Sequence, residues 1–247
     1  MRRILQCDAG NTAVKWRLLE GGVELTRGRF LHGDTASRDV LLDCTERLDA
    51  AWIASVARAE RDRELAGLVE TRWGIRPVFA ATPGRGAGLV NSYAEPGRMG
   101  VDRWLAMLGA RARTRQRLCV VDAGSAVTID LVAASGHHEG GYILPGLALM
   151  ERALLADTGR VRFEGDGSYA LAPGRDTRSA VQHGAALALC GAVRAALDSA
   201  GENGPPPVLF FCGGDGERLA ALMEIDATLC HDLLFEGLRA YAESVPQ

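Results

Sequence analysis

Residues 4–22 read ILQCDAGNTAVKWRLLEGG, and residues 117–132 read RLCVVDAGSAVTIDLV. In both stretches an apolar run ends at an aspartate, Asp8 or Asp122, and a glycine, Gly10 or Gly124, follows two residues later. After the first corner, Val14, Trp16 and Leu18 fall on one side of the chain. Ala13, Lys15 and Arg17 fall on the other, which is strand period. A strand that ends in Asp-x-Gly and turns into a second strand leaves successive backbone N–H groups pointing into one concavity. Gly10 and Gly124 can take positive φ there and let an anion approach the main chain. Asn11, Thr12 and Ser125 add side-chain donors. Such a turn suits phosphate. The Asp8 carboxylate repels phosphate unless a cation lies between them, as in Mg²⁺-nucleotide sites. An ordinary hairpin uses the same residues for conformational reasons alone. The repetition favours the phosphate reading, with two such corners facing each other across a polyphosphate.

Working outward from the first corner, VELTRGRF (23–30) returns as a third strand. A helix is expected over 35–50, a strand over 51–56, a helix over 57–74 and a strand over 75–80. A glycine-rich loop, ATPGRGAGLVNSYAEPGRMG (81–100), leads into a helix that starts near Val101. From the second corner the order repeats. Strands are expected over 118–124, 126–134 and 139–146, then helices over 147–157 and 177–201. A strand over 205–214, a short helix over 216–224, a strand over 227–234 and a last helix over 235–243 follow. The pattern β-β-β-α-β-α-β thus occurs twice and reads as an internal duplication. The expected fold is α/β, with two duplicated domains, 1–115 and 116–247. Each is a mixed sheet that starts with a three-stranded antiparallel meander and is flanked by helices.

The totals agree with two modest domains: 247 residues, 47% of them hydrophobic, with 30 glycines. A formal net charge of −3 exerts no overall pull on nucleic acid or an anionic membrane. Arg111, Arg113, Arg115 and Arg117, at every second residue, scatter around a helix axis rather than forming a patch. Asp8 arrives before a signal-peptide apolar region develops, and the longest apolar runs reach roughly half of a bilayer span. A cytoplasmic protein is expected. The six cysteines form no C-x-x-C pair and are read as free thiols in a reducing compartment. His137 and His138 are expected in an exposed turn. Thr128 and Asp130 share one strand face, lining a cleft or lying on an exposed sheet face.

The ordered set DAGNT (8–12), GVDRW (100–104), DAGSAVTID (122–130), GGYILPG (140–146) and FCGGD (211–215) resembles the type III pantothenate kinase family over nearly the whole chain. The resemblance implies two ribonuclease-H-like halves of the actin, sugar-kinase and Hsp70 superfamily. It also implies ATP-dependent phosphorylation of pantothenate, the first step towards coenzyme A. The nucleotide contacts it implies are Asp8, Ala9, Gly10, Asn11, Thr12, Ala13, Val14, Lys15 and Ser125. Asp8 would lie near Mg²⁺, through water in the family pattern, and Asp122 near a monovalent cation, K⁺ or NH4⁺. Ser125 stands where the family has a threonine, and it retains the hydroxyl.

The resemblance makes Asp102 the general base and Arg103 a ligand of the substrate carboxylate. Tyr93, Gly100, Val101 and Thr177 are the further substrate positions. Gly213 and Gly214 suit close approach by the adenosine part of ATP, or simply a strand-to-helix turn. Asp102 also suits a helix cap, and Thr177 a capping or turn hydroxyl. The family implies a homodimer. Two other functions stay open at this point: a related small-molecule or sugar kinase of the same fold, and a non-catalytic nucleotide-binding regulator.

Overall fold

The computed structural model describes residues 1–157, 168–202 and 204–245. Its elements run β1 (Arg3–Ala9), β2 (Ala13–Glu20), β3 (Val23–Leu31), α1 (Thr35–Leu42), β4 (Ala50–Ser55), α2 (Ala59–Trp73), β5 (Val78–Phe79), β6 (Arg85–Gly86), β7 (Leu89–Val90) and α3 (Val101–Arg113). They continue with β8 (Leu118–Ala123), β9 (Ala126–Val132), β10 (His138–Pro145), α4 (Leu147–Asp157), α5 (Thr177–Glu202), β11 (Val208–Cys212), α6 (Gly216–Met223), β12 (Thr228–Leu229) and α7 (Leu233–Ser244).

Two five-stranded sheets have the same topology, β3-β2-β1-β4-β5 and β10-β9-β8-β11-β12. The meanders β1-β2-β3 and β8-β9-β10 are antiparallel. β4 and β5 extend the first sheet in parallel, as β11 and β12 extend the second. The expected duplication is therefore present at the level of strand order and direction.

The chain divides into two compact units, Met1–Ala112 with Leu233–Gln247, and Arg113–Asp232. This corrects the continuous division at 115/116, because the last helix belongs with the first unit. The reason is local packing. α7 lies on β1 and β4, where Arg17 stacks over the Phe235 ring at 4.9 Å and donates through Nε to Gln6 Oε1 at 2.7 Å. α7 also meets α3 with backbones almost touching. A Cβ on Gly237 would collide with the Leu105 carbonyl, and one on Gly109 with the Leu233 carbonyl.

In the first unit Leu5, Cys7, Ala9, Val14, Trp16 and Leu18 form one sheet face of the core. Each fully buried leucine there contributes about 1.5–3 kcal/mol. The opposite face carries Gln6, Asp8 and Arg17, so the side chains that end the strand on that face are polar. The second unit repeats the division. Cys119, Val121, Ala123, Val127, Ile129 and Leu131 enter its core, and Asp122, Thr128 and Asp130 take the other face.

Three expectations change. The helix over 35–50 stops at Leu42; Asp34 caps its start by accepting from the Ala36 and Ser37 N–H groups. The strand over 227–234 shrinks to Thr228–Leu229. The loop over 81–100 contains a minimal hairpin, β6–β7, whose turn puts Ala87 and Gly88 at φ 46° and 84°. Apolar length is also revised. α5 has 26 residues, and an 18-residue window within it, of mean hydropathy 1.3, is apolar enough to cross a membrane by length and composition. Alanine and glycine link its apolar runs, with Arg194 as a charge inside every such window. Its Ala185, Ala186, Leu189, Cys190, Val193 and Ala196 pack into the core of the second unit.

Candidate active site

The first corner lies at the end of β1. Asp8 pairs with Lys15 across β1 and β2, and Lys15 Nζ stands 3.9 Å from Asp8 Oδ2. Lys15 is nonetheless exposed on its strand face, with its side chain 58% accessible. Burial pushes the Asp8 carboxyl above its ordinary range, Lys15 opposes the shift, and the charge of Asp102 adds to it. Ala9 and Val14 point into the core, so only their backbone faces the corner. The Gly10 N–H donates to the Ala13 carbonyl at 3.0 Å, closing the turn over Asn11 and Thr12. Both of these residues are exposed. Among the described residues no hydrogen bond takes the N–H of either one.

The second corner closes one residue sooner, with the Gly124 N–H donating to the Ala126 carbonyl at 2.9 Å. Only Ser125 lies between, exposed like its counterparts. Asp122 sits beside Thr128 on β9 and Cys212 on β11.

Neither Gly10 nor Gly124 adopts positive φ, which corrects the conformational reason given for them. A Cβ on Gly10 would find only the Ala13 carbonyl, at 3.5 Å, and one on Gly124 only the Ala126 carbonyl, at 3.7 Å. Nothing inside the protein demands glycine at either position. The space a side chain would take is open, as close approach by a ligand requires.

Around the corners, glycines missed or half-read in the sequence are under real constraint. Gly213 has φ 80°, and a Cβ there would press on the Ala123 carbonyl and on Asp122 Oδ1. Gly146 donates to the Ser125 carbonyl at 2.9 Å, and a Cβ there would collide with the Gly124 and Ser125 carbonyls. Gly214 has nothing within 4 Å of its Cβ position.

Asp102 is the second residue of α3. It does not cap from outside the helix; its Oδ1 accepts from the Arg103 N–H at 2.8 Å. A Cβ on Gly100 would reach that same oxygen, so Gly100 leaves room for the carboxylate. Val101 is buried and anchors the helix start. Arg103 is 5% exposed and donates to the Tyr93 hydroxyl at 2.8 Å. Tyr93 is in turn fixed by Asn91, a buried residue that sequence reasoning passed over. Asn91 Oδ1 accepts from the Tyr93 N–H at 2.9 Å, and its Nδ2 donates to the Pro96 carbonyl at 3.4 Å. The first unit thus brings Asp8, Lys15 and Asp102 into electrostatic reach and ties Arg103 to Tyr93.

Thr177, in the second unit, opens α5. The cap is Asp176, whose Oδ1 accepts from the Ser179 N–H. Thr177 lines a cavity of about 730 Å³ with Pro145, Leu149, Met150 and Val181. The expectations for His138 and Asp130 are overturned. His138 is fully buried on β10, and its Nε2 lies 3.0 Å from Asp130 Oδ1, itself buried. The bulge between His138 and Gly140 turns that side chain inward. Asp130 therefore lines neither an exposed face nor an open cleft.

The profile of the type III pantothenate kinase family matches residues 4–199. The type III pantothenate kinase of Cellvibrio japonicus is 36% identical over 243 residues, covering 96% of each chain. That of Pseudomonas aeruginosa is 36% identical over 241 residues, covering 95% of this chain and 97% of its own. Among solved structures, a Campylobacter jejuni protein described as a Baf family transcriptional activator superposes with TM-score 0.64 at 23% identity, over 97% of both chains. The Clostridium difficile activator of 2-hydroxyisocaproyl-CoA dehydratase, solved with bound ADPNP, gives TM-score 0.53 at 10% identity, over 98% of this chain and 95% of its own. These two likenesses speak for the fold alone. The sequence matches over nearly full length speak for more: the chain belongs to the type III pantothenate kinase family, whose activity is the ATP-dependent phosphorylation of pantothenate.

Proposed function

We propose that Asp102 is the general base of pantothenate phosphorylation in this chain, and that Arg103 and Tyr93 hold the substrate carboxylate. The observation that carries this reading is the start of α3. It sets Asp102 within electrostatic reach of Asp8 at the first corner and carries Arg103, already bonded to Tyr93. Asp102 accepts the proton of the primary hydroxyl as that oxygen attacks the γ-phosphorus, help typically worth about 10²–10⁴ in rate. The guanidinium grips a carboxylate through two parallel hydrogen bonds, which an ammonium cannot do. Gly100 and Val101 shape this substrate wall, and Thr177 adds a hydroxyl contact.

The nucleotide is assigned to the corners. Residues 8–15 offer the N–H groups of Asn11 and Thr12 and the ammonium of Lys15 to phosphate oxygens, and Ser125 offers its hydroxyl and N–H. A magnesium ion is assigned to the first corner, where the carboxylates of Asp8 and Asp102 lie within electrostatic reach of each other. No group of three or more His, Cys, Asp or Glu side chains stands ready for a metal among the described residues. Asp8 would hold the ion through water, as the family resemblance implies. When bound, Mg²⁺ supplies neutralisation of phosphate charge. Asp122 would hold a monovalent cation, K⁺ or NH4⁺.

The family resemblance implies a homodimer, and Ile143 and Leu187 of the second unit are exposed, at 64% and 58%. A cytoplasmic setting fits the use of ATP and six free cysteines. The test is ADP formation at fixed Mg²⁺ and K⁺. Turnover is expected to require pantothenate and to find no support from sugars. Turnover indifferent to pantothenate contradicts the reading.

A further inference from the structure

We infer that His32 is a positioning residue for ATP. Its side chain braces the first corner from behind, so that the corner's free N–H groups face the phosphates. The inference rests on the assignment of that corner to phosphate.

His32 follows the end of β3 and makes two bonds to the turn. Its backbone N–H donates to the Thr12 carbonyl at 3.2 Å. Its ring Nε2 lies 2.8 Å from the Gly10 carbonyl oxygen. A carbonyl only accepts, so Nε2 carries the proton and donates. The ring is set by an edge-to-face contact with Phe30, with centroids 6.5 Å apart and planes at 84°. Phe30 is itself part of the core. Two carbonyls of the turn are thus drawn to the His32 side. The N–H groups of Asn11 and Thr12, on exposed residues, are left for an anion.

The second unit holds an internal control. There the residue that donates its N–H to the equivalent turn carbonyl is Gly146, bonded to Ser125. Any side chain at that position would strike the corner. The first corner is one residue longer, and this makes room for an imidazole that contributes a bond of its own.

The test compares His32→Leu, which keeps bulk and loses the donor, with His32→Gln, whose amide nitrogen restores a donor at similar reach. The KM for ATP, the KM for pantothenate and kcat are measured for each. A rise of about fivefold or more in the ATP KM of His32→Leu is expected, the size of one lost neutral hydrogen bond. The pantothenate KM should be unchanged, and most of the loss should be recovered in His32→Gln. An unchanged ATP KM in His32→Leu overturns the inference. So does an equal rise in both variants, or a joint collapse of all three parameters.

Gly10→Ala, which adds a methyl on the ligand side without internal collision, separates this inference from its foundation. If Gly10→Ala leaves the ATP KM unchanged, the phosphate assignment fails and the brace falls with it. If Gly10→Ala raises that KM and His32→Leu does not, only the brace is wrong.

Discussion

The two Asp-x-Gly corners occupy the same step of the same strand order, yet each is held in shape differently. The second is held by backbone against backbone. Gly146 bonds Ser125 from one side, and Gly213, at φ 80°, lies so close to Ala123 on the other that a Cβ would not fit. The Asp215 N–H also donates to the Ala123 carbonyl at 2.9 Å. The first corner, longer by one residue, keeps the equivalent backbone bonds, from the His32 N–H to the Thr12 carbonyl and the Val56 N–H to the Ala9 carbonyl, and adds an imidazole. Duplication has kept the path of the chain while the means of fixing it diverged. A corner made of glycine contacts leaves no space for a side chain, whereas the longer one admits a side-chain donor beside its backbone bonds.

The largest effect expected from a substitution lies beside the first corner. Asp102→Asn should lower kcat by about 10²–10⁴ while ATP binding persists. A kcat near that of the native enzyme removes Asp102 as base and leaves the two corners functionally alike.

The next effect sets the corners directly against each other. Gly146→Ala forces a methyl into two backbone carbonyls, and overpacking of this kind costs about 1–3 kcal/mol. Gly10→Ala meets nothing closer than 3.5 Å and should stay within about 0.5 kcal/mol of the native stability. Denaturant titration of both variants decides the matter. Equal losses would erase the distinction between a packed corner and an open one.

Arg103→Lys should raise the KM for pantothenate about tenfold, since one charge-assisted hydrogen bond of about 1.5–3 kcal/mol is weakened or lost. The KM for ATP should barely move. A matching rise in both would mean that the first unit does not separate the grip on substrate from the grip on nucleotide.

The smallest effect is a dependence on pH. Because the Asp8 carboxyl is held above its ordinary pKa, the folded chain binds a proton where the unfolded chain has already lost it. Stability from this group is therefore full below the ordinary aspartate pKa and is lost as pH rises through the raised value. Asp8→Asn should gain thermal stability over the native ligand-free protein across that window, with a constant difference above it. A difference in Tm that does not vary with pH would contradict the burial of this carboxylate beside Asp102.

Strand order was legible in the sequence because each meander alternates cleanly and each corner is marked by Asp and Gly. The start of α3 was legible as well, since GVDRW follows a loop rich in breakers. Other features were not local. α7 looks like the end of the second half, and its packing on β1 and β4, with the fit of Gly109 and Gly237 against carbonyls in the α3–α7 pair, assigns it to the first. His138 reads as a turn residue until a bulge turns it onto Asp130. His32 and Asn91 act through hydrogen bonds to carbonyls and N–H groups brought near by folding. No spacing in the chain announces them.

The corners can be watched in the native protein through the backbone amide resonances of Asn11, Thr12 and Ser125 during titration with Mg²⁺ and a non-hydrolysable ATP analogue. Large shifts at all three are expected, saturating together, with little change at amides already committed inside the sheets, such as those of Leu5 and Val120. If these three signals stay still while amides elsewhere saturate, the triphosphate sits at another place and neither corner is a phosphate site.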